Sequence, residues 1–157
     1  MSLACSSAAL IHSGWKAAGV LAGGGSGAVA ALLGQPGASR FVIEVQVPYQ
    51  KEALVDYVGR PLTHASSSIT TAYMAKKAYQ RACTYAPDES HLLGWACSAA
   101  LATQPARKGH DRAYVAVYTH AQRFHRHISC CGDRAMQEEQ VAQEILTLLN
   151  EVVGTIL

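Results

Sequence analysis

A glycine-rich segment near the amino terminus constrains this chain more than any other feature. It is flanked by an apolar run over residues 17–22 and a helix-forming run over residues 28–33. A strand that ends in consecutive glycines and leads into a helix leaves several backbone N–H groups unpaired and directed to one point, which suits an anion such as phosphate. The sequence therefore predicts a phosphate-binding loop, with a flexible glycine turn as the alternative. The loop consists of Gly23, Gly24, Gly25, Ser26 and Gly27.

The elements that follow the loop predict an α/β fold. Proline and glycine at 36–37 end the first helix, the β-branched run 40–47 has the composition of a strand, and a second helix is expected to open within 48–54. Two short crossovers of this kind favour a mixed sheet with some parallel strands. The other expected elements are helices near 2–11, 66–86 and 133–153, strands over 92–99 and 112–119, and an antiparallel edge strand over 123–131.

The composition narrows the class of protein and its surroundings. Half of the residues are apolar and 15% are charged, which excludes a disordered chain or a coiled coil. A formal net charge of only +2 gives no argument for a nucleic-acid partner. Apolar runs are too short for a membrane span, and the five cysteines are odd in number without C-x-x-C spacing. We expect a cytoplasmic protein of one domain over residues 1–157 that contacts neither membrane nor nucleic acid.

Basic residues and histidines concentrate in one segment. Residues 104–134 hold six Lys or Arg side chains against two Asp side chains, so one edge of the sheet is expected to favour an anion. His125 and His127 alternate beside Cys130 and Cys131, a pattern that also suggests a metal site. Without a second spaced pair, a solvated strand face is the favoured interpretation, and no metal is expected.

Several segments together resemble the C-terminal domain of the competence/damage-inducible protein CinA. They are Gly25 to Leu33, Pro36 to Phe41, Val47-Pro48-Tyr49, Tyr57-Val58-Gly59 and Gly132-Asp133-Arg134. The resemblance spans the chain from about residue 5 to its end and is closest to a eukaryotic branch, which carries similar residues at Glu44, Cys97 to Thr103 and Glu138-Glu139. It implies a single three-layer α/β domain and a small-molecule partner, since enzymes of the family hydrolyse nicotinamide mononucleotide to nicotinate mononucleotide and ammonia. It implies no cofactor, and homo-oligomerisation is left open.

Two departures from the family concern catalysis. Active members resemble this chain except that they carry a serine where Ala22 stands and a lysine where Leu54 stands. A lysine activates a serine by accepting its proton, so the inherited dyad is missing here. Ser26 and Lys51 are an alternative dyad beside Tyr49, although Lys51 follows that tyrosine by two residues instead of five.

The resemblance also implies binding residues. Ser98 corresponds to a family threonine that contacts the ligand, and a hydroxyl bonded to its own backbone is the alternative. Arg134 keeps the family position and suits a phosphate, whereas a surface ion pair with Glu138 is the alternative. Tyr49 and Arg134 are predicted to face one cavity together with the glycine loop.

Three hypotheses on function follow. The first is a CinA-like domain that binds a mononucleotide or phosphate and has lost its catalytic Ser and Lys. The second is an active nicotinamide mononucleotide deamidase with a relocated Ser26/Lys51 dyad. The third is a Rossmann-like dinucleotide-binding domain, suggested by Gly23, Gly25 and Ala28 after a strand and by Glu44 ending the next strand, or a structural assembly module.

Overall fold

A five-stranded sheet organises the chain in the computed structural model, which describes residues 2–107 and 109–155. The strands are β1 (Lys16–Ala22), β2 (Val42–Gln46), β3 (Leu92–Ala100), β4 (Arg112–Tyr118) and β5 (Arg123–Ser129). The helices are α1 (Leu3–Ile11), α2 (Ser26–Leu33), α3 (Lys51–Val58), α4 (Ser68–Tyr85) and α5 (Arg134–Thr155), with a short 3-10 turn at Ala38–Arg40.

The strand order is β2-β1-β3-β4-β5. β1 lies parallel to both β2 and β3, whereas β3, β4 and β5 pair antiparallel. Helices separate the parallel strands along the chain, and shorter connections join the antiparallel ones, as chain geometry requires. The sheet is therefore mixed and partly parallel, and this prediction is confirmed.

Helices cover both faces of the sheet, so the domain has three layers. On one face, α1, α2 and α5 bury an apolar cluster that includes Leu10, Leu32, Trp95 and Ile145. On the other, α3 and α4 bury a second cluster that includes Leu54 and Met74. The alternating side chains of β1 and β3 divide between these two clusters, because successive residues of a strand point to opposite faces.

Several predicted elements differ at their ends by one or two residues. The helix that was expected to open within 48–54 begins inside that window at Lys51, after the cap residue Gln50, whose carbonyl accepts from Leu54 N at 3.0 Å. Tyr49 therefore lies on the connection before α3 and not in the helix. The edge strand ends at Ser129 instead of 131, and one more backbone bond, from Cys130 N to the Asp111 carbonyl at 2.9 Å, follows it.

The five cysteines are free thiols in the structure. Within residues 2–107 and 109–155, none of the helices combines the length and apolar character that crossing a membrane demands.

The first prediction concerns the close contact between α4 and β3 at Gly94. A methyl group at Gly94 of β3 would lie 2.1 Å from Tyr79 N and 2.5 Å from the Ala75 carbonyl oxygen of α4. Because both contacts are with backbone, Gly94→Ala is expected to lower the free energy of unfolding by about 2 kcal/mol or more in urea titrations. The control is Gly154→Ala, where nothing lies within 4 Å and the change should stay within about 1 kcal/mol. Equal losses in both variants would contradict this account of the packing.

Candidate functional site

The glycine loop lies where β1 ends, at the edge of the sheet where the parallel strands present their carboxyl ends. Gly25 is the cap residue of α2 and has a φ of 102°, while Gly23 has a φ of 85°. Residues that carry a side chain rarely adopt such backbone φ values, so both positions favour glycine. In parallel sheets this edge is the usual place for a ligand.

Packing gives a second reason for the glycines. A methyl group at Gly23 would lie 1.9 Å from the Ala99 carbonyl oxygen of β3, and one at Gly25 would lie 2.9 Å from Ile145 Cδ1 of α5. The loop therefore folds tightly against β3 and α5, on the face of the sheet that α5 covers. This contact fixes where its N–H groups point.

An acidic side chain occupies the position that sequence analysis assigned to an anion. Glu138 of α5 accepts hydrogen bonds at Oε2 from Gly25 N, at 3.1 Å, and from the Ser26 hydroxyl, at 3.3 Å. A carboxylate at the start of a helix is stabilised by the same N–H groups and dipole that stabilise phosphate. In this structure the loop thus binds an anion that belongs to the chain itself.

Arg134 connects the loop to Tyr49. Its Nη2 donates to the Gly23 carbonyl at 2.9 Å and to the Tyr49 hydroxyl at 3.1 Å, and its Nη1 donates to the Ala102 carbonyl at 3.3 Å. Nη2 also lies 4.0 Å from Glu138 Oε1. Tyr49 and Arg134, 85 positions apart in the sequence, therefore meet beside the loop.

The start of α5 holds Arg134 in place. Asp133 accepts from Met136 N at 2.9 Å as a helix cap. One turn on, the buried Gln137 accepts from Ala102 N at 2.7 Å and donates to Asp111 Oδ2 at 2.7 Å. These bonds join α5 to the segment after β3.

A cavity of about 690 Å³ is lined in part by Arg134. Its volume falls within the range of small-molecule sites, about 300–1,000 Å³. The lining residues are Ala102, Thr103, Gln104, Asp133 and Arg134. Of the residues predicted to share a cavity, Arg134 is in this lining, whereas Tyr49 and the loop glycines are not.

The residues that correspond to the family dyad lie on the other face of the sheet. Ala22 and Leu54 are both buried, and both belong to the apolar cluster beneath α3 and α4. The two positions are thus brought into one cluster, but with side chains that carry no ionisable or nucleophilic group.

Ser98 also lies on that face, away from the glycine loop. It pairs with Ala22 in the parallel register of β1 and β3 and is fully buried. Its hydroxyl lies 2.6 Å from Thr71 Oγ1 of α4. The structure therefore separates Ser98 from Tyr49, Arg134 and the loop, because the side chain of residue 98 points to the face opposite those of 97 and 99.

Ser26 and Lys51, the alternative dyad, are not joined by a described contact. The Ser26 hydroxyl donates to Glu138, and Lys51 is exposed as the first residue of α3. Cys97 lies beneath the loop, but burial, with a smaller contribution from the charge of Glu138, raises its pKa well above the ordinary value. Its thiol is therefore neutral at physiological pH and a poor nucleophile.

The histidine and cysteine pattern near β5 does not form a metal centre in the part of the chain that the structure describes. No group of three or more His, Cys, Asp or Glu side chains suited to a metal ion lies in residues 2–107 and 109–155. His127 instead stacks on Tyr114 with ring centroids 4.9 Å apart.

Solved structures share this fold at low sequence identity. A competence or damage-inducible protein from Enterobacter asburiae superimposes with a TM-score of 0.78 at 17% identity, over 98% of this chain and 99% of that one. A competence/damage inducible protein from Agrobacterium tumefaciens gives 0.77 at 18% identity, over 97% and 99%. A CinA superfamily protein from Escherichia coli gives 0.75 at 15% identity, over 96% and 87%. No family model and no curated protein matches the sequence.

These likenesses cover nearly the whole chain. The described residues form a single three-layer α/β domain, and its fold is that of the CinA superfamily. The fold that the sequence resemblance implied is confirmed.

Glu138 and Gln137 are the site residues that sequence reasoning missed or misplaced. Glu138 was considered as part of the family resemblance and as a surface partner of Arg134 but not as a contact of the loop, and Gln137 was not considered. One signal was available for Glu138: it follows Arg134 by one helical turn, so both side chains project from the same face of α5 toward the loop.

The contact between Glu138 and the loop generates the second prediction. Glu138→Ala would leave the buried Gly25 N–H without its acceptor, so we expect a loss of about 1–3 kcal/mol in the free energy of unfolding. The control is Glu139→Ala, which removes the same charge from an exposed neighbour and should change it by less than about 0.5 kcal/mol. Urea unfolding followed by circular dichroism measures both free energies. Equal free energies of unfolding for the two variants would contradict the hydrogen bond between Glu138 and Gly25.

Proposed function

We propose that this chain is a CinA family member that binds a small phosphorylated ligand, such as a mononucleotide, and lacks the hydrolytic dyad of the active enzymes. The observation that carries the proposal is the burial of Ala22 and Leu54 in one apolar cluster. Serine and lysine at those positions would lie within that same cluster, so the loss concerns chemistry and not the fold.

The loss of chemistry follows from the side chains themselves. A methyl group at residue 22 has no oxygen to attack a carboxamide, and an isobutyl group at residue 54 accepts no proton. Removing both groups leaves only the acceleration that binding and charge stabilisation supply.

Ligand binding is supported by the surroundings of Arg134. Arg134 lines a cavity of about 690 Å³, and its guanidinium lies within hydrogen-bond distance of the Tyr49 hydroxyl. An arginine suits a phosphate, because its guanidinium is always charged and donates hydrogen bonds to oxygen acceptors. The cytoplasmic location and the absence of a nucleic-acid partner remain predictions from the composition.

A second function, that of a structural module, is favoured by Glu138. Since its carboxylate takes hydrogen bonds from Gly25 and Ser26, the loop is stable without a ligand. The relocated Ser26/Lys51 dyad has less support, because the described partner of the Ser26 hydroxyl is a carboxylate.

The third prediction tests catalysis. The purified protein is expected to release ammonia from nicotinamide mononucleotide several orders of magnitude more slowly than active relatives, because nucleophile and base are absent. Ala22→Ser with Leu54→Lys should raise the rate, since a lysine amine in this apolar cluster has a lowered pKa and accepts a proton more readily at neutral pH. Ala22→Ser alone is the control. Rapid turnover by the unmodified protein, lost in Ser26→Ala or Lys51→Ala, would instead establish the relocated dyad.

The fourth prediction tests binding. Arg134→Ala should weaken the binding of nicotinamide mononucleotide, measured by calorimetry, by tenfold or more, because a charged hydrogen bond contributes about 1.5–3 kcal/mol. Arg126→Ala is the matched control, since Arg126 lies on the edge strand β5 and forms an ion pair with Glu151 of α5. Equal affinities for both variants, or no binding by the unmodified protein, would reject the proposed ligand site.

A further inference from the structure

We infer that Glu138 closes the glycine loop to external anions, so that a phosphate group reaches the loop only by displacing this carboxylate. The inference rests on the proposed function, in that it concerns the regulation of the same site. The anion that occupies the loop is then Glu138 itself, which lies 113 residues from Gly25 in the sequence.

The contact has the geometry of a bound anion. One carboxylate oxygen, Oε2, accepts from Gly25 N at 3.1 Å and from Ser26 Oγ at 3.3 Å, at the first residues of α2. The other oxygen, Oε1, lies 4.0 Å from Arg134 Nη2. The two groups that would hold a phosphate, the loop and the arginine, therefore both face Glu138.

Occupation by two anions at once is unfavourable. A phosphate on the Gly25 and Ser26 donors would share them with Glu138, and two negative charges a few ångström apart repel strongly where water is restricted. Only one of the two can hold these donors.

Displacement of Glu138 is compatible with the rest of the site. Its side chain is 23% exposed, so the carboxylate reaches water by rotation of the side chain. Arg134 keeps its bonds to the Gly23 and Ala102 carbonyls when Glu138 leaves, because these do not involve the carboxylate. The framework around the loop therefore persists with the loop open.

The test compares three proteins for binding of inorganic phosphate by calorimetry. They are the unmodified chain, Glu138→Gln and the control Glu139→Gln, which removes an identical charge one residue further along the exposed side of α5. Glu138→Gln keeps the size of the side chain but removes its charge, so we expect its dissociation constant to fall at least tenfold. The constant of Glu139→Gln should stay within about twofold of that of the unmodified chain, because screening weakens the influence of an exposed charge.

Each outcome decides the inference. Equal phosphate affinities for Glu138→Gln and Glu139→Gln would overturn it, as would phosphate bound to the loop beside an unmoved Glu138 in a crystal of the unmodified chain. Should Glu138→Gln fail to fold, Glu138→Asp serves instead, because its shorter side chain withdraws the carboxylate from Gly25 N and should also lower the dissociation constant.

The same measurements separate this inference from the proposed function. Binding of nicotinamide mononucleotide by the unmodified chain, with no gain in Glu138→Gln for phosphate, would retain the function and reject the closed loop. Phosphate binding that appears only in Glu138→Gln would support the closed loop, while the titration of the unmodified chain with nicotinamide mononucleotide would judge the proposed function separately. No phosphate binding by any of the proteins would overturn the inference, and the nucleotide titration would then judge the function alone.

Discussion

The approach of the glycine loop to β3 and α5 is the constraint on which the site depends. The space beside Gly23 is filled by the Ala99 carbonyl, and that beside Gly25 by Ile145. Because the glycines leave room for this close approach, α5 presents Glu138 to the Gly25 N–H and Arg134 to the Gly23 carbonyl. The position of α5 thus determines both the shape of the loop and the charges around it.

Much of this fold could be predicted from the sequence, because hydrophobic period and turn residues are local signals. The strand and helix order and the mixed sheet were predicted correctly. The side of the sheet on which each residue lies was harder to predict. Ser98 was grouped with Tyr49 and Arg134, yet one position along β3 decides whether a side chain meets α4 or α5, and this parity depends on the exact register with β1.

Glu138 illustrates a different limit of sequence reasoning. Consecutive glycines before a helix indicate N–H groups that need an acceptor, and that inference agrees with the geometry. They do not indicate which acceptor is used, since a phosphate and a carboxylate satisfy the same donors. The choice is made by α5, more than a hundred residues away, through packing that has no local signature.

The two faces of the sheet differ in chemistry at the edge where the parallel strands end. On the α4 face, Ala22 and Leu54 continue the apolar core and carry no ionisable or nucleophilic group. On the α5 face, the polar and charged groups bond to one another: Glu138 accepts from the Ser26 hydroxyl, and Arg134 donates to the Tyr49 hydroxyl. A fold does not by itself define an activity. Here one face of the carboxyl edge is apolar core, while on the other face two donors of the glycine loop are bonded to a carboxylate from within the chain.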